Sequence, residues 1–294
     1  MDVERLQFTL DDGRNLDVAV AGAADATPFV FHHTTPGSAI VFEPFIQEVL
    51  ARGLRYVAWS RPGYGDSTRQ PGRTVADCVG DALAVVEQLG HERFLTAGWS
   101  GGAPHALACA ALTPDRVLAV ASIAGPAPSG AEGLDWLGGM GEENVEEFGA
   151  AMAGPDELRS YLEQVGPEFG SVTGDEIVAA LGDLVSEVDK DVLTGELGAF
   201  LAGNIRDGLR NGFWGWFDDD LAFVRDWGFD LSALAVPATV WQGAQDRMVP
   251  FSHGEWLAEH APVRARLLPE HGHLSLAVAS FPTVLDDLLA SARA

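Results

Sequence analysis

Positive charge is what this chain lacks most. Its 294 residues include one lysine, Lys190, and 17 arginines against 43 acidic side chains, a formal net charge of −25. Nucleic acid and anionic membrane surfaces would be repelled, so neither is an expected partner. Cysteine is also scarce. Cys78 and Cys109 both lie in apolar, helix-like patterns, which suits core packing in a reducing compartment rather than a disulfide framework. No uninterrupted apolar run reaches the roughly 18 residues that a membrane span needs. The opening Met1-Asp2-Val3-Glu4-Arg5 lacks the basic-then-apolar order of a secretory signal. A cytoplasmic protein is the expectation.

Hydrophobic residues make up 47% of the chain, enough for a sizeable core. Arg5 to Leu10 and Leu16 to Ala21 flank Asp11-Asp12-Gly13-Arg14, a hairpin signal. Phe29 to His33 reads as a buried strand, Ile40 to Arg52 as a helix stopped by Gly53, and Arg55 to Ser60 as the next strand. Val75 to Leu89 has helical spacing with Thr74 as its expected N-cap. The loop Arg61-Pro62-Gly63-Tyr64-Gly65-Asp66-Ser67 lacks the third glycine of a dinucleotide fingerprint. Strands alternating with helices predict an α/β fold, a mostly parallel sheet covered on both faces.

That rhythm stops near Gly130. From 130 to 235 the pattern is helical, with 23 acids against 5 bases, a net −18. A core would not tolerate that charge density, so this segment is expected to be a helical lid on a core made of residues 1–129 and 236–294. Trp136, Phe213, Trp214, Trp216, Phe217 and Trp227 give it an apolar face. Its acids are expected either on a solvated outer face or across the mouth of a site, where they would steer charged ligands.

Chemistry centres on Phe94-Leu95-Thr96-Ala97-Gly98-Trp99-Ser100-Gly101-Gly102-Ala103. An apolar strand runs through Gly-x-Ser-x-Gly into a small-residue helix, a turn so sharp that it needs glycine and leaves the serine hydroxyl exposed. A serine hydroxyl is a weak nucleophile at neutral pH. It needs a base, and the base needs an orienting carboxylate. On this type of turn they follow in the order Ser, acid, His. Asp246 follows the apolar run Ala238 to Gly243, and His273 closes Glu270-His271-Gly272-His273. His271 is the rival base. His-x-His can also bind a metal, but no carboxylate or cysteine ligand stands at a matching spacing.

Gly243-x-x-Asp246 followed by Val249-Pro250, the Gly272-His273 pair, and Phe29-Val30-Phe31-His32-His33-Thr34-Thr35-Pro36-Gly37 together resemble the α/β-hydrolase superfamily over essentially the whole chain. Thr34 stands where that family usually has glycine. The resemblance implies Ser100 as nucleophile, Asp246 as orienting acid and His273 as base, with no metal or organic cofactor. It implies an oxyanion hole from the N–H of Gly101 and a second N–H from the loop after the third strand, Thr35 first and Thr34 second. His32 and His33 read as structural residues of that loop, His105 as a packing histidine, and Asp66 as a loop brace. Candidates for the substrate pocket wall are His33, Thr34, Trp99, Trp214 and Trp216.

Serine at residue 100 argues against the haloalkane dehalogenases and epoxide hydrolases of this superfamily, which place aspartate there. The expected reaction is hydrolysis of a small carboxylic ester or related acyl compound. Alternatives are a prolyl-iminopeptidase-like aminopeptidase, a carbon–carbon bond hydrolase or biosynthetic tailoring enzyme, and a catalytically silent ligand-binding member.

Overall fold

In the computed structural model, which describes residues 2–293, eight strands form one sheet in the spatial order first, second, fourth, third, fifth, sixth, seventh, eighth. β1 (Glu4–Thr9) and β2 (Asn15–Ala21) make the expected antiparallel hairpin, with Thr9 opposite Asn15. β3 (Pro28–His32) is buried at every residue, as a central strand covered on both faces must be. α1 (Glu43–Ala51) leads to β4 (Arg55–Trp59), which pairs antiparallel with β2 and parallel with β3. Every later pairing is parallel.

α2 (Cys78–Gln88) begins later than its apolar spacing predicts. Thr74 does not cap it. Its N–H and hydroxyl both donate to Asp77 Oδ2, at 2.6 and 2.9 Å, closing a side-chain turn ahead of the helix. β5 (Phe94–Trp99), α3 (Ala103–Leu112) and β6 (Val117–Ile123) complete the first half of the sheet. Cys78 and Cys109 are free thiols buried in the layer that α2 and α3 form with it.

Between β6 and β7 the chain is helical: α4 (Glu142–Ala153), α5 (Pro155–Phe169), α6 (Ile177–Leu181), α7 (Glu187–Val192), α8 (Gly195–Leu209) and α9 (Trp214–Phe223). Then β7 (Ala238–Gly243), α10 (Phe251–His260), β8 (Arg264–Leu268) and α11 (His273–Ser291) finish the sheet and its covering helices. α11 has the length and apolarity of a membrane span, and half of that stretch is buried within the protein. Phe281 on α11 stacks on Phe45 of α1 at 3.8 Å and meets Phe29 and Phe31 of β3 edge-on, which locks the helix bearing His273 onto the sheet.

Candidate active site

The sharp turn after β5 positions Ser100. Its φ of +56° is a left-handed backbone angle that a side chain rarely adopts. Glycines supply the space that this turn needs. A methyl group on Gly98 would fall on the Gly102 carbonyl, one on Gly102 on the His32 carbonyl, and one on Gly101 on the Thr35 hydroxyl. The loop after β3 is thereby pressed against the turn, and Thr34, Thr35, Ser100 and Gly101 line one cavity.

His273 and Asp246 arrive from loops after later strands, at the same carboxyl edge of the parallel sheet. Asp246 follows β7 and His273 is the first residue of α11. His273 Nδ1 lies 2.8 Å from Asp246 Oδ2, and His273 lines the cavity that holds Ser100. Burial opposes the charge on Asp246. The backbone N–H groups of Met248 and Val249 donate to its Oδ1 at 2.9 and 2.8 Å, and the Gln242 amide to its Oδ2 at 3.0 Å. These donors favour the ionised carboxylate and offset part of the upward push of burial. Burial also works against a charged His273, yet Asp246, helped by Asp189, outweighs it and raises the imidazole above its ordinary value near 6.5. An imidazole so paired is stabilised as imidazolium when it takes a proton. Trp99 stacks along His273 at 6.1 Å and forms part of the cavity wall. His271 is absent from this cluster and lies 3.9 Å from Glu270 at the surface.

Two of the pocket candidates do not line this cavity. His33 is buried, with Nδ1 against the Thr34 carbonyl at 2.6 Å and Nε2 accepting the Arg61 N–H at 3.0 Å. Both ring nitrogens serve the loop, and burial holds the imidazole well below its ordinary value. Trp214 is turned outward, 36% exposed, with the Arg69 guanidinium 4.1 Å over its ring. Thr34, Trp99 and Trp216 do line it. Asp66 is exposed and pairs with Arg210 at 2.5 Å, so it ties the loop after β4 to the end of α8 rather than to the site.

Four groups of functional interest carried no pattern of their own. Among the described residues, Glu147 of α4 is the one acid on the cavity wall, in a largely apolar lining that includes Trp136, Phe148, Phe169 and Trp216. Trp216 Nε1 donates to it at 2.8 Å, and burial pushes its carboxyl up to about 7. Asp220 of α9, which lies against Glu147, has no amide, hydroxyl or guanidinium on its carboxyl among the described residues. Its neighbour Asp219 is fully buried and meets Arg61 and Arg73, each at 2.6 Å, the Thr35 hydroxyl at 2.7 Å and the Tyr64 hydroxyl at 2.9 Å. Burial alone would raise Asp219, but the two guanidiniums hold it well below the usual carboxylate range. Arg61 also donates to the His33 and Thr34 carbonyls, at 2.6 and 3.0 Å. Asp189 of α7 caps α11. His105 packs beside Asp219 at 3.5 Å. The one available signal was Asp218-Asp219-Asp220 inside the apolar frame of Trp216, Phe217, Leu221 and Phe223, since acids on a buried helix face must be paired.

A profile of the family described as alpha/beta hydrolase fold matches residues 27–279. The chain belongs to the α/β-hydrolase fold family. A non-heme chloroperoxidase from Streptomyces lividans is 29% identical over 96% of this chain and 97% of its own length. An epoxide hydrolase B from Mycobacterium tuberculosis is 28% identical over 55% of this chain and 43% of its own. Among solved structures, an esterase from Exiguobacterium antarcticum superposes with a TM-score of 0.71 at 19% identity, covering 98% of this chain and 99% of that one. A proline iminopeptidase-related protein from Thermus thermophilus gives 0.59 at 22% identity, with 99% and 98% covered. This α/β-hydrolase is an enzyme of its family, with the mostly parallel sheet that the sequence predicts.

Proposed function

We propose that this α/β-hydrolase is a serine hydrolase that cleaves small carboxylic esters through a covalent acyl-enzyme. The observation that carries the reading is His273 Nδ1 on Asp246 Oδ2 at 2.8 Å, with His273 and Ser100 lining one cavity. Ser100 Oγ attacks the ester carbonyl carbon while its proton passes to His273 Nε2. The carbonyl oxygen becomes an oxyanion held by the N–H groups of Gly101 and Thr35. The intermediate collapses, the alkoxide leaves with the proton from His273, and the acyl group stays on Ser100. Water then attacks the acyl carbon, giving its proton to His273. Ser100 leaves by taking that proton back, and the free acid is released.

A cavity of about 110 Å³ with a largely apolar wall supports a small acyl or alkyl group as occupant. Residues 130–235 would act as its lid, since Trp136, Glu147, Phe169, Leu201 and Trp216 all lie on its wall. Serine at the turn, where the resemblance gives epoxide hydrolases an aspartate, favours acyl transfer over epoxide opening. Glu147 favours a second reading, an aminopeptidase whose substrate presents its free amino group to that carboxylate. A fluorophosphonate probe should label Ser100 and leave Ser100→Ala unlabelled. Hydrolysis of short p-nitrophenyl esters supports the first reading and of proline arylamides the second; a wild-type protein that neither labels nor turns over any of them rules out both.

A further inference from the structure

α11 opens at His273 with Gly272 before it, so the N-cap position has no side chain to accept from the first-turn N–H groups. The cap comes from 84 residues earlier in the chain. Asp189, on α7, is fully buried and spends both carboxylate oxygens on this turn. Oδ2 accepts the His273 N–H at 2.8 Å. Oδ1 accepts the Leu274 N–H at 3.0 Å, the Ser275 N–H at 2.8 Å and the Ser275 hydroxyl at 2.8 Å. Ser275 Oγ in turn accepts the Gly272 N–H at 2.8 Å. Gly272 has an ordinary φ of −97°, so it is required for space rather than for a backbone angle. A methyl group there would fall on the Asp189 carboxylate and within 2.5 Å of the Ser186 hydroxyl.

We propose that Asp189 is a positioning residue for the catalytic base: by capping α11 from outside the helix, it fixes the His273 backbone beside Asp246 and makes that geometry depend on docking of α7. The proposal rests on the Ser100–His273–Asp246 reading. It follows from where His273 sits. An imidazole on the first residue of a helix faces unpaired N–H groups and the positive end of the helix dipole, which both oppose an imidazolium. Asp189 satisfies three of those N–H groups and brings a negative charge. Among the described residues, the charged side chains acting on His273 are Asp246, from the loop after β7, and Asp189. Asp246 orients the ring through Nδ1, and Asp189 holds the main chain from which the ring hangs.

The test compares Asp189→Asn, Gly272→Ala and the double variant with wild type, using kcat, KM and the pH profile of kcat/KM on a p-nitrophenyl ester. Amide hydrogen exchange at His273, Leu274 and Ser275 is measured in parallel. Asp189→Asn should lower kcat by about 10- to 100-fold with KM little changed, as for a displaced reacting group. It should also move the acid limb of kcat/KM to lower pH, because a charge favouring imidazolium is gone, and speed exchange at the three amides. Gly272→Ala pushes the same carboxylate away with its charge intact. It should reproduce the kcat loss, and the double variant should be no worse than the poorer single one, since both break one contact. An Asp189→Asn protein that folds, keeps the wild-type pH profile and loses less than about threefold in kcat overturns the proposal. A lowered melting temperature with an unmoved acid limb does so too, because that describes a cap with no influence on the base. If Asp189→Asn fails to fold, wild-type kcat in Gly272→Ala is the overturning result. Failure of the triad reading looks different: wild type would not label at Ser100, whereas the hydrogen-exchange comparison needs no activity.

Discussion

Asp246 and the run Asp218-Asp219-Asp220 are buried acids solved in opposite ways. Asp246 is held by its own neighbourhood: Gln242, Met248 and Val249 lie within a few residues of it, and only His273 comes from afar. The α9 acids stand at successive positions, about 100° apart around the helix, and so point to three different places. Asp218 takes a two-point contact from Arg69, Asp219 takes Arg61 and Arg73, and Asp220 faces Glu147. The first arrangement keeps one carboxylate ready for a histidine. The second joins α9 to the loops after β3 and β4 and to α4. A carboxylate of the first kind is expected to matter for rate, and one of the second kind for stability.

The sharpest way to break that contrast is to remove charge from each. Asp246→Asn should fold normally and lose on the order of 10⁴ in kcat, because the imidazole is left in the wrong tautomer. Steady-state kinetics on a protein with an unchanged melting curve checks this, and retention of more than about a tenth of the rate would assign the orienting role to another acid. Asp219→Ala should instead cost about 3–5 kcal/mol of stability, since Arg61 and Arg73 would be left as buried, unpaired charges. Urea unfolding measures it, and a cost near zero would remove the distinction between the two regions.

Glu147 and Asp220 give a smaller, pH-dependent effect. Burial pushes Glu147 up to about 7 from an ordinary value near 4.5. Its folded value therefore lies above its unfolded one. The contribution is fully present below about 4.5 and is lost as pH rises through about 7. Glu147→Gln cannot ionise, so it should lack this part of the decline and exceed wild type at alkaline pH by on the order of 3 kcal/mol. Parallel stability–pH curves for the two proteins would count against a buried, protonated pair. The smallest effect concerns salt. Five acids of the segment 130–235, namely Glu147, Asp189, Asp218, Asp219 and Asp220, are buried, and most of the others are exposed to solvent. Charge on such an outer face is screened over about 8–10 Å. Anionic, neutral and cationic esters should then show parallel kcat/KM profiles from about 20 to about 500 mM salt. Opposed slopes for the anionic and cationic esters would place that charge across the mouth of the site instead.

The same contrast separates what the sequence made legible from what it did not. Ser100 and Asp246 each follow an apolar strand and a glycine turn, and His273 closes a Gly-His pair after β8, so local pattern singled out all three. The sheet was legible for that reason too: its central strands are short apolar runs bounded by turns. Trp214 and His33 misled because an aromatic or imidazole ring looks alike whether it faces a cavity, a guanidinium or a loop carbonyl. Asp189 and Asp219 could not be singled out at all. Their partners lie 84 and 158 residues away, and a charge-rich helix reads as solvated until the arginine or N–H group opposite it is known. Density of charge was a poor guide to which of the segment's acids touch water.

The Asp219 cluster has a consequence for anyone who would recombine this protein with a relative. The helices between β6 and β7 look like a separable module that could be exchanged to change which substrates are accepted. They are not separable in charge. A transplanted segment without an acid at the position of Asp219 would strand Arg61 and Arg73 in the recipient and release the Thr35 hydroxyl at the cavity. A transplant that did carry it, placed on a host lacking those arginines, would bury a lone carboxylate. The unit of exchange is therefore α9 together with the loops after β3 and β4.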